Sequence, residues 1–516
     1  MADPLLLGID AGTSGIRALV FTTDGKVVAQ AGRAVPVERP RPGWAQYQPQ
    51  VLWDATRAAL REATAQLERP ERVAGLAVAS VGEAFVALDG AGQPTGPVIA
   101  WYDERPRTEV DWLSEAIGFE RLHALCGLAP DPTFTLCKLL WWKAHQPEAL
   151  ARAVRWLNVS HFLAWKLCGE MTCDPTLASR TLAFDLRRRV WAEDLIAEVG
   201  LSPTLFAPIR ANGARLGGVT ADAAAETGLP QGCAVGVGGH DHIVGALALA
   251  ALSPGILFNS LGTAEALTMT LEQPSAEPAL LRQGYSQGAV EVDRPLYYVF
   301  GGFPTSGACI EWFRTLFDGI GHETLIEEAA TVPAGCHGVT FVPDLRGRIS
   351  PVPDPLARGA WFGLAADSGR PALYRAVLEG LAFEARQTVD SLIELGLPAI
   401  REIRAIGGST RNPLLMRIKA SVYGQPIKAT AMAEVSALGG ALLGGLAAGV
   451  FEDLAQAQAA LQPALRVIEP VAAWQDRYEA HYRSVYQPAH GALRGVHHAA
   501  DAIERAAQAG KTNPTP

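Results

Sequence analysis

The sequence predicts an α/β protein built as two similar halves. Three observations carry this expectation. Short apolar strands alternate with segments of helical periodicity. The strand–turn–strand pattern "GIDAGTSGIRALVF" near residue 8 returns as "LFNSLGTAEALTMT" near residue 257. The chain has 516 residues, 49% hydrophobic and 19% charged, enough to fill two or three cores.

The elements follow in order. "LLLGIDAGTSGIRALVFTTDGKVVAQ" reads as three short strands, joined by "GTSG" and by an Asp-Gly turn in "TTDGK". "PQVLWDATRAALREATAQL" has apolar residues at helical spacing, and "VAGLAVAS" is a buried strand. Ser253-Pro254-Gly255 is a turn and sets the boundary between halves. The first domain is therefore 1–253 and the second 254–495, followed by a tail, 496–516, expected to be disordered at its polar end, "AGKTNPTP". In the second half, "FVPDLRGRISPVPDPLARGAWFGL" should be a long ordered loop. "PALYRAVLEGLAFEARQTVDSLIEL" should be an amphipathic helix, and "IREIRAIGGSTRNPLLMRIKASVYG" a strand, a glycine turn and a helix. "SALGGALLGGLAAGVF" is a small-residue helix able to pack very closely.

Composition excludes several function classes. Net charge is −9, with no dense Lys/Arg block, which argues against a nucleic-acid partner or an anionic membrane surface. Seven cysteines without a CxxC read as reduced core thiols of a cytoplasmic protein. The N-terminal segment lacks the features of a signal peptide, and no run of about 18 apolar residues suggests a membrane span.

The repeated turn has a physical use. Gly12 and Gly15 let the backbone approach a phosphate, and Thr13 and Ser14 add hydroxyl donors. Asp10, at the strand end, can hold Mg²⁺ through water. Gly262 and Thr263 supply the facing copy, so two turns would clamp a phosphate chain between two domains. No GxxxxGK[ST] occurs, so this is not a P-loop. Gly407-Gly408, between strand and helix, allows close backbone approach to a flat ligand such as adenine with its ribose.

Taken together and in this order, these pieces resemble the FGGY family of carbohydrate kinases, over roughly residues 4–490. "GWAQYQPQVLWDA", "VIAWYDER", "TLCKLLWWK", "DPLARGAWFGL" and "LYRAVLEGLAF" are similar to further family stretches, with Leu373 standing where a polar residue is usual. The resemblance implies a two-domain actin-like, ribonuclease-H-like ATPase fold with an interdomain cleft. It implies transfer of the γ-phosphate of MgATP to a sugar or polyol hydroxyl, and dimerisation as a family habit. Arg17, Gly307 and Asn412 complete the expected ATP- and phosphate-binding set.

Transfer to an alcohol needs a proton acceptor at the nucleophilic hydroxyl. In the family that base is an aspartate after a glycine-rich strand end, a description that fits Asp241 in "VGVGGHDHIVGALAL". A metal site, with its metal-hydrolase reading, is disfavoured for His240 and His242. No HExxH occurs and no further His or Cys partner stands nearby. His242 is a candidate substrate contact. Glu83, in "SVGEAF", suits a polyol because a carboxylate accepts bonds from vicinal hydroxyls. Trp101 and Asp103 are further wall candidates. Xylulose kinases of the family show Met-His-Gly near Glu83 and glycerol kinases show Arg-Glu, whereas this chain has Gly-Glu-Ala. A pentulose or related ketose or polyol is the expected acceptor. Glycerol or erythritol is the alternative substrate, and a non-catalytic actin-like ATP-binding protein the alternative class.

Overall fold

A computed structural model describes residues 3–511. The first half is built on a six-stranded sheet. Strands β1 (Leu5–Gly12), β2 (Gly15–Thr22) and β3 (Val27–Ala34) form an antiparallel meander. Helix α1 (Pro49–Ala65) crosses over, and β4 (Val73–Ser80) then lies parallel to β1 on its free side. Helices α2 (Phe119–Cys126), α3 (Thr135–His145) and α4 (Val159–Cys168) follow. Strands β5 (Arg215–Gly218) and β6 (Ala234–His240) complete the order β5-β6-β4-β1-β2-β3, and α5 (Asp241–Ala248) starts where β6 ends.

The second half repeats the plan. Strands β7 (Ile256–Leu261), β8 (Glu265–Leu271), β9 (Ser286–Glu291) and β10 (Pro295–Phe303) are antiparallel. After α6 (Gly307–Thr315) and α7 (Arg370–Glu394), β11 (Glu402–Ile406) runs parallel to β7. Helix α8 (Pro413–Tyr423), β12 (Ile427–Thr430), α9 (Val435–Ala447), β13 (Leu465–Ile468) and α10 (Gln487–Lys511) follow. The order is β9-β10-β8-β7-β11-β12-β13. The series β2-β1-β4-β6 thus matches β8-β7-β11-β12, one antiparallel pair and then two parallel ones.

Two expectations are corrected. Helix α7 is not amphipathic in its middle: every residue from Tyr374 to Ala385 is buried, because the helix runs through the core of the second half. Its charges survive there by pairing, Arg375 with Glu379 at 2.9 Å and Arg348 with Glu384 at 2.8 Å. Residues 496–511 continue α10, so the first three residues of the end expected to be disordered, 509–511, are helical; its remainder, 512–516, lies outside the described residues.

Packing also ties the expected second domain, 254–495, to the first sheet. Helix α9, from that stretch, packs onto β1, β4 and β6 of the first sheet. Its small residues make this contact backbone to backbone. A Cβ on Gly8 would lie 1.7 Å from the Ala437 carbonyl oxygen, and one on Gly444 2.5 Å from Leu76 Cα. Between the glycines, Leu438 and Leu442 are fully buried, roughly 1.5–3 kcal/mol each. One apolar cluster therefore joins Leu6, Ala77 and Val244 to Leu438 and Phe258.

All seven cysteines are free thiols, six of them buried. Among the described residues no helix is long and apolar enough to cross a membrane.

Candidate active site

The candidate site forms at the strand ends of the first sheet, with Glu434, Ser436 and Phe300 of the second half beside it. The register of β1 and β2 pairs Gly12 with Gly15, leaving Thr13-Ser14 as a two-residue turn. The Tyr47 hydroxyl donates to the Thr13 carbonyl at 3.0 Å, and Trp101 Nε1 donates to Thr13 Oγ1 at 3.1 Å. Trp101, 39% exposed, thus ties the expected substrate wall to the phosphate turn.

The second turn is Gly262-Thr263-Ala264, between β7 and β8. It is held from below by the start of α6: Gly307 N donates to the Gly262 carbonyl at 3.0 Å and Ala308 N to that of Thr263 at 3.1 Å. Gly307 is required, since its Cβ would sit 2.7 Å from the Gly262 oxygen. Gly407, at φ +101, packs against the Leu261 carbonyl, while Gly408 is exposed. Beneath this turn Lys419 Nζ meets Glu265 Oε1 at 2.6 Å, both fully buried, and Ser306 donates to Glu265 Oε2.

Asp241 is the first residue of α5, directly after β6. Its carboxylate accepts the His242 backbone N–H at 2.7 Å. Burial, with the nearby Glu83 charge, raises its pKa to about 7. Asp10 is also raised to about 7, by burial first and then by the charges of Asp241 and Glu434. Arg17 bridges the latter group, 3.5 Å from Asp10 and 3.3 Å from Glu434. Among the described residues no three His, Cys, Asp or Glu side chains are close enough to hold a metal by themselves. Asp10, Asp241 and Glu434 instead give a negative field that fits a divalent cation keeping its waters.

Glu83 is only 4% exposed and takes φ +60, a conformation that costs a non-glycine residue about 1–3 kcal/mol. The environment holds it there. Arg180 Nε meets Glu83 Oε1 at 2.7 Å, and Lys138 Nζ and Thr135 Oγ1 both donate to the Glu83 carbonyl at 3.2 Å. The Arg180 guanidinium lies over the rings of Phe134 and Phe300, 5.1 and 5.6 Å from their centroids. Phe300 comes from β10, so the second half closes this pocket. It also meets the ring of His242 at 6.2 Å, which stacks on His240 at 5.6 Å.

Several sequence-predicted residues therefore lie together: Arg17 pairs with Asp10, Trp101 bonds Thr13, and Asp241 and His242 feel the charges of Asp10 or Glu83. Two do not act as expected. Asp103 is enclosed, paired to Arg105 at 2.9 Å and accepting from Ala45 N, so its carboxylate does not line the cleft. Asn412 Oδ1 caps α8 by accepting from Leu415 N, leaving its amide on the Tyr374 hydroxyl. His240 is buried, and Gly82 fits against its ring, with room for no Cβ. The sequence reading missed Arg180, Phe134, Phe300 and Lys138. A signal existed for Arg180, a lone charge inside the apolar run "PTLASRTLAF". Phe300 offered none.

Comparison with known proteins bears on this geometry. Residues 5–248 match the N-terminal domain model of the FGGY family of carbohydrate kinases, and residues 257–448 match the C-terminal one. The glycerol kinase of Gloeobacter violaceus is 32% identical over 482 residues, 90% of this chain and 92% of that protein. That of Aromatoleum aromaticum is 33% identical over 92% of this chain and 96% of its own length. The xylulose kinase structure from Rhodospirillum rubrum superposes with a TM-score of 0.88 at 29% identity, covering 96% of this chain and all of that one.

Proposed function

The chain belongs to the FGGY family of carbohydrate kinases, and from that premise we propose that it transfers the γ-phosphate of MgATP to a pentulose or a related ketose or polyol. The observation that carries this reading is Asp241, a carboxylate with its pKa near 7, between the first phosphate turn and Glu83. A general base works best when its pKa lies near the working pH.

The steps follow from the residues. Glu83, fixed by Arg180, accepts hydrogen bonds from adjacent hydroxyls of the acceptor. Trp101 offers an indole face to its C–H groups. His242 and Arg180 are donors, which suits the carbonyl of a ketose. As the acceptor oxygen attacks the γ-phosphorus, its proton passes to a carboxylate oxygen of Asp241. The new O–P bond forms, the bond to the β-phosphate oxygen breaks, and ADP leaves. The backbone at Gly12–Ser14 and Gly262–Thr263 faces the phosphate chain from two sides. Mg²⁺, when bound near Asp10, supplies charge neutralisation on the phosphate oxygens.

A second reading, glycerol as acceptor, is favoured by the glycerol kinases at 32 and 33% identity. One experiment tests both. ADP release is measured with glycerol, erythritol, xylulose and ribulose, ranked by kcat/KM, and repeated with Asp241→Asn. A ketose leading the ranking supports the first reading, and glycerol leading it supports the second. If no acceptor stimulates ADP release, or if the variant keeps full activity, a kinase with Asp241 as its base is wrong.

A further inference from the structure

A cavity of about 300 Å³ lies on the seam between the two halves and shares no lining residue with the cleft. One wall is α2 with Leu186 and Arg187, from the first half. The other is the segment around Leu281 and Arg282, from the second. Beside it the seam is tight: Gln287 N donates to the Gly127 carbonyl at 2.8 Å, and a Cβ on Gly127 would come within 2.8 Å of the Gln287 side chain. The cavity is thus not general looseness between halves.

Its chemistry is uneven. Phe119, Leu186 and Leu281 give apolar surface. His123 also lines it, only 8% exposed, and its Nε2 is enclosed with no hydrogen-bond partner among the described residues. A buried imidazole nitrogen left unpaired is costly unless something outside the protein pairs with it. Burial also lowers the pKa of this histidine, so it is neutral at pH 7 and its Nε2 is free to carry a proton or accept one. Arg187 and Arg282 are exposed and form no ion pair among the described residues, while Glu120 is the one carboxylate on the lining. Two guanidinium groups against one carboxylate favour an anion, and guanidinium geometry favours phosphate.

We propose that this seam cavity is a binding site for a small organic phosphate. The apolar body would lie against Phe119, Leu186 and Leu281, with the phosphate held by Arg187 and Arg282 and a body oxygen or bridging oxygen meeting His123 Nε2. The volume suits a ligand at the small end of the pocket range, about 300–1,000 Å³. Because the walls come from both halves, such a ligand bridges them.

The test uses the full chain with MgADP saturating the cleft, and phenyl phosphate as the probe, observed by saturation-transfer NMR titration. One saturable site is expected. R187A/R282A, both exposed positions, should weaken binding at least tenfold, and H123Q several-fold. A124W blocks the cavity while keeping every charge, and should abolish binding. Phenol, with the same body and no phosphate, should not bind. Absence of saturable binding to the wild type overturns the proposal. So does an affinity unchanged in both R187A/R282A and A124W, which would put the probe elsewhere.

Discussion

At the scale of single residues, Asp241 and Asp10 make the sharpest expectations. The proposed roles require both as carboxylates, and burial raises the pKa of both to about 7. The kcat/KM profile should therefore rise with pH through about 7 and level above it. Asp241→Asn should cost about 10²–10⁴-fold in kcat. Stability moves the other way. Asp241 titrates near 3.8 when unfolded and about 7 when folded. The folded chain holds the extra proton between these values, so stability falls as pH rises through that window. Asp241→Asn removes this loss, and its thermal midpoint at pH 8 should exceed the wild type by a few degrees, with the difference gone near pH 4. Arg180→Met leaves Glu83 buried without its partner. The acceptor KM should rise at least tenfold while the KM for ATP changes little; equal rises in both would remove Arg180 from the acceptor pocket. The sequence singles out Asp10, Asp241 and Glu83 because each stands in a short pattern whose neighbours explain it. Arg180 and Phe300 stand in no such pattern. Their positions are set by which segments the fold brings over Glu83, and Asp103 looked like a wall residue only because its pairing with Arg105 and Ala45 N is invisible in one dimension.

At the scale of elements, α9 shows how little freedom a close-packed helix has. Gly444→Val would drive a side chain into Leu76, where the backbone leaves 2.5 Å, and the soluble yield should collapse. A Cβ added at Gly491, inside α10, would point into open space among the described residues. Gly491→Ala should raise stability by about 0.5–1 kcal/mol, read by chemical denaturation. The composition of α9 announced close packing, and that expectation agrees with the structure. Its partner was not legible, because small residues specify proximity and not identity. Helix α7 failed for the opposite reason. Arg375, Glu379 and Glu384 look solvent-facing in sequence, yet each is buried against a partner: Arg375 and Glu379 against each other and Tyr478, Glu384 against Arg348 and Tyr486.

At the scale of the whole molecule, the sequence repeat corresponds to the repeated strand order, but the halves are not independent bodies. Ser436 Oγ of α9 donates to the Asp241 carbonyl at 3.1 Å, so an element of the second half steadies the start of α5. A fragment of residues 1–253 lacks α9 and exposes the apolar face of β1, β4 and β6. It should bind a hydrophobic dye strongly and lack a cooperative thermal transition; a monomeric fragment with a sharp transition would contradict this. The same dependence sets a schedule at the ribosome. The last strand of the first sheet, β6, leaves the exit tunnel roughly 195 residues before α9 does, about 10–40 s at ~5–20 residues per second. For that interval the nascent chain carries an uncovered sheet face. Codon usage and chaperone supply across residues 241–447 should govern how much active protein a cell recovers.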